Sequence, residues 1–322
     1  MAWKEPWLTL KSLIRTKVAG MSRRKSGLDI HGVVLLDKPV GISSNRALQK
    51  VRGIFQARKA GHTGSLDPFA TGMLPICLGE ASKTAAFMLE AEKQYRATAR
   101  LGEATNTGDI EGEVIQTSPV PTFDIETLAK TLEQFEGEIE QVPPMYSALK
   151  HQGKPLYEYA RAGIDIDRPA RAVTIHELKL VEWKSPLLTF DVRCSKGTYI
   201  RTLAEDIASA LESCAHLVQL RRMVVEPFEA LPMVTLERLQ EARDQGGLND
   251  FLLPVDVGLV GWPRVDINPE QLAKFKHGNH FPFSTEGLKT KKVRVYGPEG
   301  ELLGLADLSA EGILQPARVF NL

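Results

Sequence analysis

The chain has 322 residues, of which 43% are hydrophobic and 25% charged, with 40 basic residues against 40 acidic ones. This composition is typical of a soluble globular protein, and no apolar run approaches the roughly 20 residues that a membrane-spanning helix needs. The three cysteines are widely spaced without a C-x-x-C pair, and no H-E-x-x-H motif occurs, so we expect a cytoplasmic protein without disulfide bonds and without a metal site.

Residues 1–30 form a basic N-terminal extension. The extension lacks the long apolar core and the small-residue cleavage site of a secretory signal, which leaves a transit peptide as the alternative. After it, a buried strand is predicted from Ile30 to Asp37. Ser43 or Ser44 can cap a following helix, because Leu48 and Val51 lie on one apolar face of that segment.

Strands and further helices alternate in the middle of the chain. Lys93 to Gly102 alternates apolar and polar residues, as a half-buried strand does. The other predicted elements are an amphipathic helix from Ile125 to Phe135, strands at Val173–Trp183 and Leu187–Cys194, and a helix at Tyr199–Leu211. Neighbouring strand pairs interrupted by helices predict an α+β fold with a mixed, largely antiparallel sheet flanked by helices.

A smaller unit is expected after Leu253, because prolines and glycines punctuate the next ten residues. Beyond them, Lys292–Tyr296 and Leu302–Asp307 are short strand candidates joined by Gly-Pro-Glu-Gly. We therefore predict a main domain at residues 31–253 and a small β-rich domain at residues 254–322.

Charge is unevenly distributed despite the net charge of zero. No acidic residue lies between Asp37 and Asp67, a segment rich in lysine and arginine, and a second basic stretch runs from Lys274 to Arg294. Local asymmetry of this kind favours contact with phosphates, although charge runs are also common on solvated surfaces. The acidic segment from Glu103 to Glu140 is expected to face away from any nucleic acid.

The segment Gly61 to Pro75, with the sequence GHTGSLDPFATGMLP, predicts a shaped, irregular loop because it holds three glycines and two prolines. Pro68 disfavours helical geometry at Asp67. The apolar neighbours of Asp67 make desolvation plausible, so a nearby cation would be needed to keep the carboxylate ionised. From local chemistry alone, however, most Asp-Pro pairs are turn formers.

Seven ordered motifs give this chain a family resemblance. The loop above is preceded by LLDKPVGISS at Leu35 and followed by the motifs KQYRATARLG, TNTGDIEG, PPMYSALK, SKGTYIRTL and HLVQLRR. Together they closely resemble the bacterial TruB-type tRNA pseudouridine synthases. The match spans roughly residues 31–225, which makes coincidence negligible. The usual members have no counterpart of residues 1–20, so either translation starts at Met21 or these residues are an organellar leader.

The resemblance implies a fold, a reaction and partners. The fold is the pseudouridine synthase fold, with a C-terminal domain of the PUA type that binds RNA. The reaction converts a uridine to pseudouridine in the T loop of tRNA, at position 55 in tRNA nomenclature, after the base has been flipped out of its stack. No cofactor, metal or obligatory protein partner is implied, and we expect a monomer that binds the tRNA T stem-loop.

The resemblance also assigns roles to seven residues. Asp67 matches the catalytic aspartate, Tyr95 the active-site aromatic and candidate proton acceptor, and Arg201 the guanidinium that pairs with Asp67. The residues matching RNA-contacting positions are His62, Tyr199, Leu220 and Lys38. Taken without the motifs, Tyr95 and Leu220 would be core residues and Arg201 a residue that opens a helix. Whether Asp67 attacks the sugar, attacks the base or abstracts a proton stays open.

Two other functions compete with this interpretation. One is that of the guide-dependent archaeal and eukaryotic branch, whose members work inside a ribonucleoprotein. Against it stand the uninterrupted bacterial-type motifs and the absence of a lysine-rich tail. The other is that of an RNA-folding chaperone, which would depend on binding rather than on chemistry.

Overall fold

The computed structural model describes residues 27–285, 288 and 291–322. Most of the basic extension, including Met21, lies outside the described residues. The described chain forms an α+β structure with a mixed, largely antiparallel sheet flanked by helices, and a smaller β-rich sheet follows it. The predicted fold class is therefore confirmed, whereas the domain boundary after Leu253 stays a prediction.

The larger sheet has eight strands among the described residues. Their order is β1-β3-β12-β4-β11-β10-β7, with β2 beside β3. Neighbours are antiparallel except for β12, which runs parallel to β3. The bounds are β1 Gly32–Lys38, β2 Ala60–His62, β3 Thr71–Leu78, β4 Lys93–Leu101, β7 Gly137–Gln141, β10 Arg171–Lys184, β11 Leu187–Cys194 and β12 Ala215–Val225.

A smaller sheet and two short hairpins complete the strands. The smaller sheet has the order β13-β15-β16-β17-β14. Its bounds are β13 Arg264–Asp266, β14 Phe281–Pro282, β15 Lys292–Tyr296, β16 Leu302–Leu308 and β17 Ile313–Val319. The hairpins are β5 Glu103–Thr105 with β6 Val114–Thr117, and β8 Lys150–His151 with β9 Lys154–Pro155.

Apolar periodicity explains how the helices pack. Four of them bury one apolar face each against the same side of the larger sheet, as expected for amphipathic helices. The helices are α1 Ser44–Phe55, α2 Ala85–Met88, α3 Ile125–Glu133, α4 Leu156–Arg161, α5 Ile200–Ala210, α6 Leu236–Gln245 and α7 Pro269–Lys276, and those packed on the sheet are α1, α3, α5 and α6.

The side chains of β1 alternate between two hydrophobic cores, the second of which includes a residue of the smaller sheet. Val34 and Leu36 point into the core beneath the helices, whereas Val33 and Leu35 point to the opposite face. There they join a second core to which the smaller sheet contributes Leu305. Because side chains alternate across a strand, the four apolar residues 33–36 of β1 can be buried on both faces.

The prediction that the segment from Gly61 to Pro75 forms a loop is largely wrong. Ala60–His62 and Thr71–Leu78 are strands that pair with each other, so only residues 63–70 are irregular. Gly72 does not serve a loop turn. It allows close approach to β12, since a Cβ there would lie 2.2 Å from the carbonyl oxygen of Arg222, and its φ is +100°.

Candidate active site

Asp67 lies in the middle of the irregular segment 63–70, which we call the catalytic loop. β2 pairs with β3 only up to His62, and farther along β3 the neighbouring strand is β12. The catalytic loop therefore leaves the sheet at the point along β3 where β12 takes the place of β2 as the neighbouring strand. Leu66 and Phe69 are buried on either side of Asp67, whereas the Asp67 side chain keeps 38% of its surface exposed.

Helix α1 holds the loop through a single hydroxyl group. The Oγ atom of Ser44 donates to the carbonyl oxygen of Leu66 at 3.0 Å and accepts from the Leu66 amide at 2.7 Å. The N-cap of the same helix is Ser43, whose side chain accepts from the Arg46 amide. The catalytic loop is therefore tied to the first turn of α1 beside the N-cap.

Lys38 is fully buried and contacts the backbone. Its Nζ atom donates to the carbonyl oxygens of Pro39 at 3.0 Å, Ile42 at 2.7 Å and Pro68 at 3.2 Å. Burial lowers the pKa of Lys38 to about 8, against the opposing charge of Asp67. In this arrangement the ammonium group of Lys38 anchors the catalytic loop, and the expected contact of Lys38 with RNA stays a prediction.

Arg201, the second residue of α5, connects Asp67 to a further carboxylate. Its Nε atom lies 3.1 Å from Oδ2 of Asp67, and its Nη1 atom lies 3.4 Å from Oδ2 of Asp109. Nη1 and Nη2 also donate to the carbonyl oxygens of Thr107 at 2.6 Å and Tyr146 at 2.7 Å. With its side chain only 5% exposed, this guanidinium is fixed from several sides.

Asp109 was not identified as a site residue from the sequence, and its segment was expected to face away from nucleic acid. In the structure Asp109 is buried beside Arg201, and the orientation of its segment relative to nucleic acid stays a prediction. Its Oδ1 atom accepts from the Thr107 hydroxyl at 2.7 Å and from the Glu111 amide at 3.0 Å. Its position inside the motif TNTGDIEG was the signal that could have found it.

Opposing effects act on the ionisation of Asp67. Desolvation raises its pKa above the usual value, Arg201 lowers it, Asp109 raises it and Lys38 lowers it. The charge of Asp67 in turn acts on the pKa of Tyr95 and of Tyr199. The site thus groups two carboxylates, Asp67 and Asp109, with two cations and two phenols.

Tyr95 is the third residue of β4 and lies opposite Arg222 of β12. Burial raises the pKa of the Tyr95 hydroxyl, while the charge of Arg222 and a hydrogen bond from it oppose that rise. The sequence alone assigned no role to Arg222, although this residue ends the motif HLVQLRR.

The remaining predicted residues surround this centre. Burial lowers the pKa of His62, and its Nδ1 atom is buried without a hydrogen-bond partner in the described part of the chain. Tyr199 is the N-cap of α5, and its backbone exchanges two hydrogen bonds with the side chain of Gln141. Leu220 is buried in the core opposite Ala97, and its expected contact with RNA stays a prediction.

The part of the chain that the structure describes shows neither a metal cluster nor a membrane span. The described residues contain no group of three or more histidine, cysteine, aspartate or glutamate side chains arranged to hold a metal ion. Across residues 27–285, 288 and 291–322, no helix is both long and apolar enough to cross a membrane.

Three family models match consecutive parts of the chain. They are the TruB family pseudouridylate synthase N-terminal domain at residues 52–200, the tRNA pseudouridylate synthase B C-terminal domain at 201–260, and the pseudouridine synthase II TruB C-terminal model at 263–320.

Curated relatives match nearly the full length. The tRNA pseudouridine synthase B of Actinobacillus succinogenes is 48% identical over 305 residues, covering 94% of this chain and 98% of the relative. The protein of the same name from Nitrosococcus oceani is 57% identical over 247 residues, covering 76% of this chain and 80% of the relative.

Solved structures share the fold. A crystal structure of a Cbf5-Nop10-Gar1 complex matches with a TM-score of 0.70 and 26% identity, covering 90% of this chain and 85% of that chain. An archaeal box H/ACA sRNP Nop10-Cbf5 complex matches with a TM-score of 0.67 and 23% identity, covering 90% and 86%.

Proposed function

Since this chain belongs to the TruB family of pseudouridine synthases, we propose that Asp67 carries out its reaction, the isomerisation of uridine to pseudouridine in tRNA. The observation that carries the assignment is the ion pair of Arg201 with Asp67 at 3.1 Å, on a loop whose neighbours are buried. The substrate we propose is the uridine of the T loop, at position 55.

The reaction breaks the bond between N1 and C1′, turns the uracil, and joins C5 to C1′. A carboxylate suits the first step, because it can act as a nucleophile or stabilise a sugar with oxocarbenium character. A protonated acid could do neither. Arg201 therefore has two tasks, which are to keep Asp67 ionised and to fix the direction of its carboxylate.

The target base must leave its stack before Asp67 can reach it. Flipping costs a few kcal/mol, and aromatic surfaces in the protein compensate for part of that loss. Tyr95 provides such a surface beside Asp67, and its hydroxyl is the candidate acceptor for the proton on C5. His62 and Tyr199 are proposed to contact the RNA around the flipped nucleotide. A neutral His62 ring, favoured by its lowered pKa, suits stacking.

We further propose that the chain works without a guide RNA and without protein partners. The similar solved structures are complexes of Cbf5 with other proteins, whereas the curated relatives of higher identity are named as single synthases of tRNA. The small sheet, which resembles a PUA domain, is proposed to add RNA contacts.

The test is activity of the purified chain on an isolated T stem-loop RNA. We expect pseudouridine at the T-loop uridine with no other component present. Product that forms only after addition of guide RNA and partner proteins would refute stand-alone action. Tight binding of the stem-loop without any product would instead support the chaperone function.

A further inference from the structure

Three large apolar side chains next to the catalytic site are exposed to solvent. Val40, Leu89 and Ile110 keep 65%, 43% and 57% of their surface exposed. A single exposed apolar residue needs no explanation, but several around one site mark a surface that a partner covers. Each of the three lies on a backbone segment that is bound to the catalytic loop or to a residue of the site.

Val40 lies in the turn between β1 and α1, which is bound to the far half of the catalytic loop. The Gly41 amide donates to the carbonyl oxygen of Pro68 at 2.8 Å. The buried ammonium group of Lys38 binds the same carbonyl and the carbonyls on both sides of Val40. Because Pro68 directly follows Asp67, the turn is fixed beside the catalytic carboxylate.

Leu89 follows α2 and lies beside the start of the catalytic loop. A Cβ atom on Gly64 would be 3.8 Å from Cδ2 of Leu89, at an ordinary van der Waals separation. The buried Lys93 donates through Nζ to the carbonyl oxygen of Leu89 at 2.8 Å and also to that of Ala91. The backbone that carries this exposed leucine is therefore fixed as well.

Ile110 follows Asp109, the buried carboxylate beside Arg201. Asp109 accepts hydrogen bonds from the Thr107 hydroxyl at 2.7 Å and from the Glu111 amide at 3.0 Å. The chain therefore bends around this carboxylate and leaves Ile110 exposed. Arg201 is in turn the partner of the catalytic carboxylate, so this turn also belongs to the site.

The three exposed residues share one structural feature. The backbone next to each of them is held by a buried charged side chain, and these side chains are Lys38, Lys93 and Asp109. Burial of a charge is costly unless it is well bonded, and here the bonds go to the backbone of the exposed segments. A rigid apolar group loses little conformational freedom when a partner covers it, and such preorganisation favours binding.

We propose that Val40, Leu89 and Ile110 form an apolar rim that packs against unpaired nucleobases next to the flipped uridine. The proposal rests on the function proposed above, because it assumes that a T-loop uridine reaches Asp67. Bases of RNA loops expose apolar faces to the protein, whereas the bases of a duplex are stacked. For the turn that holds Ile110, the proposal replaces the prediction that its acidic segment faces away from nucleic acid.

The test replaces the rim with polar side chains of similar size, Val40→Thr, Leu89→Asn and Ile110→Thr, in one variant. We expect it to bind the T stem-loop RNA about tenfold more weakly, because apolar burial is lost. Calorimetry should show a less negative heat-capacity change of binding, which is the mark of apolar burial. The single-turnover rate at saturating protein should stay within about twofold of the wild type, since the rim contacts do not change during the chemical step.

A matched control carries the same types of substitution at exposed residues elsewhere. These are Val181→Thr on β10, Ile125→Thr on α3 and Leu322→Asn at the C-terminal end. We expect the control to bind with the affinity and the heat-capacity change of the wild type. Thermal unfolding checks each variant, and the single rim variants, each about threefold weaker in binding, take the place of the triple variant if it does not fold.

Two results would overturn the proposal. One is an affinity and a heat-capacity change in the rim variant that equal those of the control. The other is a loss of the saturated rate without a loss of affinity, because it would place these residues in the chemical step. A wild-type chain that neither binds nor modifies the T stem-loop would refute the proposed function itself, so the two failures are distinguishable.

Discussion

Burial and the charge of Arg201 shift the pKa of Asp67 in opposite directions. Desolvation raises the pKa of this carboxyl group and so favours the protonated form, which is inactive as a nucleophile or base. Arg201 is the strongest opposing influence and also contacts Asp109, Thr107 and Tyr146. Ionisation of Asp67 therefore depends on a cation that is itself held in one position.

Replacing Arg201 should shift the pH dependence of the reaction. The ionised form of Asp67 is populated above its pKa, so a further rise of that pKa moves the onset of activity to higher pH. We expect Arg201→Met to lose nearly all activity, with the residual activity shifted toward alkaline pH. Arg201→Lys should lose less, because it keeps the charge but not the planar fork. Single-turnover rates across pH measure both effects.

A control is needed because Glu205 also faces Arg201. Burial raises the pKa of Glu205 to about 7, so its titration falls in the same pH range. We expect the alkaline shift of Arg201→Met to persist in a Glu205→Gln background. Activity of Arg201→Met near the wild-type level at neutral pH would mean that Arg201 has only a structural role.

Asp67 should also reduce the stability of the folded chain at neutral pH. A group whose folded-state pKa is raised binds its proton more tightly in the native state, so stability is present below the unfolded-state pKa and is lost as the pH rises through the folded one. We therefore expect Asp67→Asn to unfold at a higher temperature than the wild type at pH 7, and at about the same temperature in acid. Calorimetry at both pH values checks this, and a lower unfolding temperature at pH 7 would contradict the raised pKa.

At the scale of single residues, the motifs identified Asp67, Tyr95 and Arg201, and the structure brings all three together. Two neighbours, Asp109 and Arg222, escaped identification because their partners lie far away in the chain. Arg222, for example, bonds to Gly64, which is 158 positions distant. Local patterns cannot reveal such contacts, since these depend on which strands become neighbours.

Among the elements, the contact between α1 and the catalytic loop is especially open to test. Ser44→Ala would leave the buried amide and carbonyl of Leu66 without their partner, at a cost of about 1–3 kcal/mol. Because the same bonds position Asp67, we expect a slower single-turnover rate as well. Urea unfolding and rate measurements on the same preparation give both quantities.

Ser43→Ala is the matched control for this element. It removes the N-cap hydrogen bond to Arg46, at a cost of about 1 kcal/mol, but leaves the contact with Leu66 intact. Its stability should fall while its rate stays near that of the wild type. Equal rate losses in the two variants would show that Ser44 acts only through helix stability.

The strands and helices were predictable wherever their side chains alternate or repeat. The paired strands β10 and β11, the helix α5 and the strands β15 and β16 are confirmed within a few residues. The strand β3 was missed because Gly72 and Pro75 are typical of loops. In the structure, Gly72 allows the approach of β12, and the Pro75 carbonyl accepts from the amide of Thr63.

Across the whole molecule, the basic side chains of the two segments differ in whether they bind other residues of the chain or are exposed. In the first segment, Arg58 pairs with Asp29 and Arg52 bonds to the chain at Ala57. In the second, Lys274 pairs with Glu270, Arg294 pairs with Asp256, and Lys289 lies outside the described residues. By contrast Arg46, Lys50 and Lys59, on and just after α1, are exposed, and we infer that they face the RNA.

Binding should therefore weaken with salt, despite the net charge of zero. Neutralising Arg46, Lys50 and Lys59 together with glutamine should flatten the plot of log affinity against log salt by about 0.7–0.9 for each phosphate that the protein no longer neutralises. The control triple of Lys130, Lys179 and Lys184 lies on other exposed surfaces. Its slope should match that of the wild type, and an unchanged slope in the first triple would remove α1 from the interface.

The central claim is that the Asp67 carboxylate acts in the chemical step and not in binding. The most direct measurement is single-turnover pseudouridine formation by Asp67→Asn, with tRNA affinity measured in parallel. The amide has nearly the same shape but is neither a nucleophile nor a base, so the loss should fall on the chemical step. We predict no pseudouridine and a tRNA affinity within a few fold of the wild type. Measurable pseudouridine formation by this variant would contradict the account.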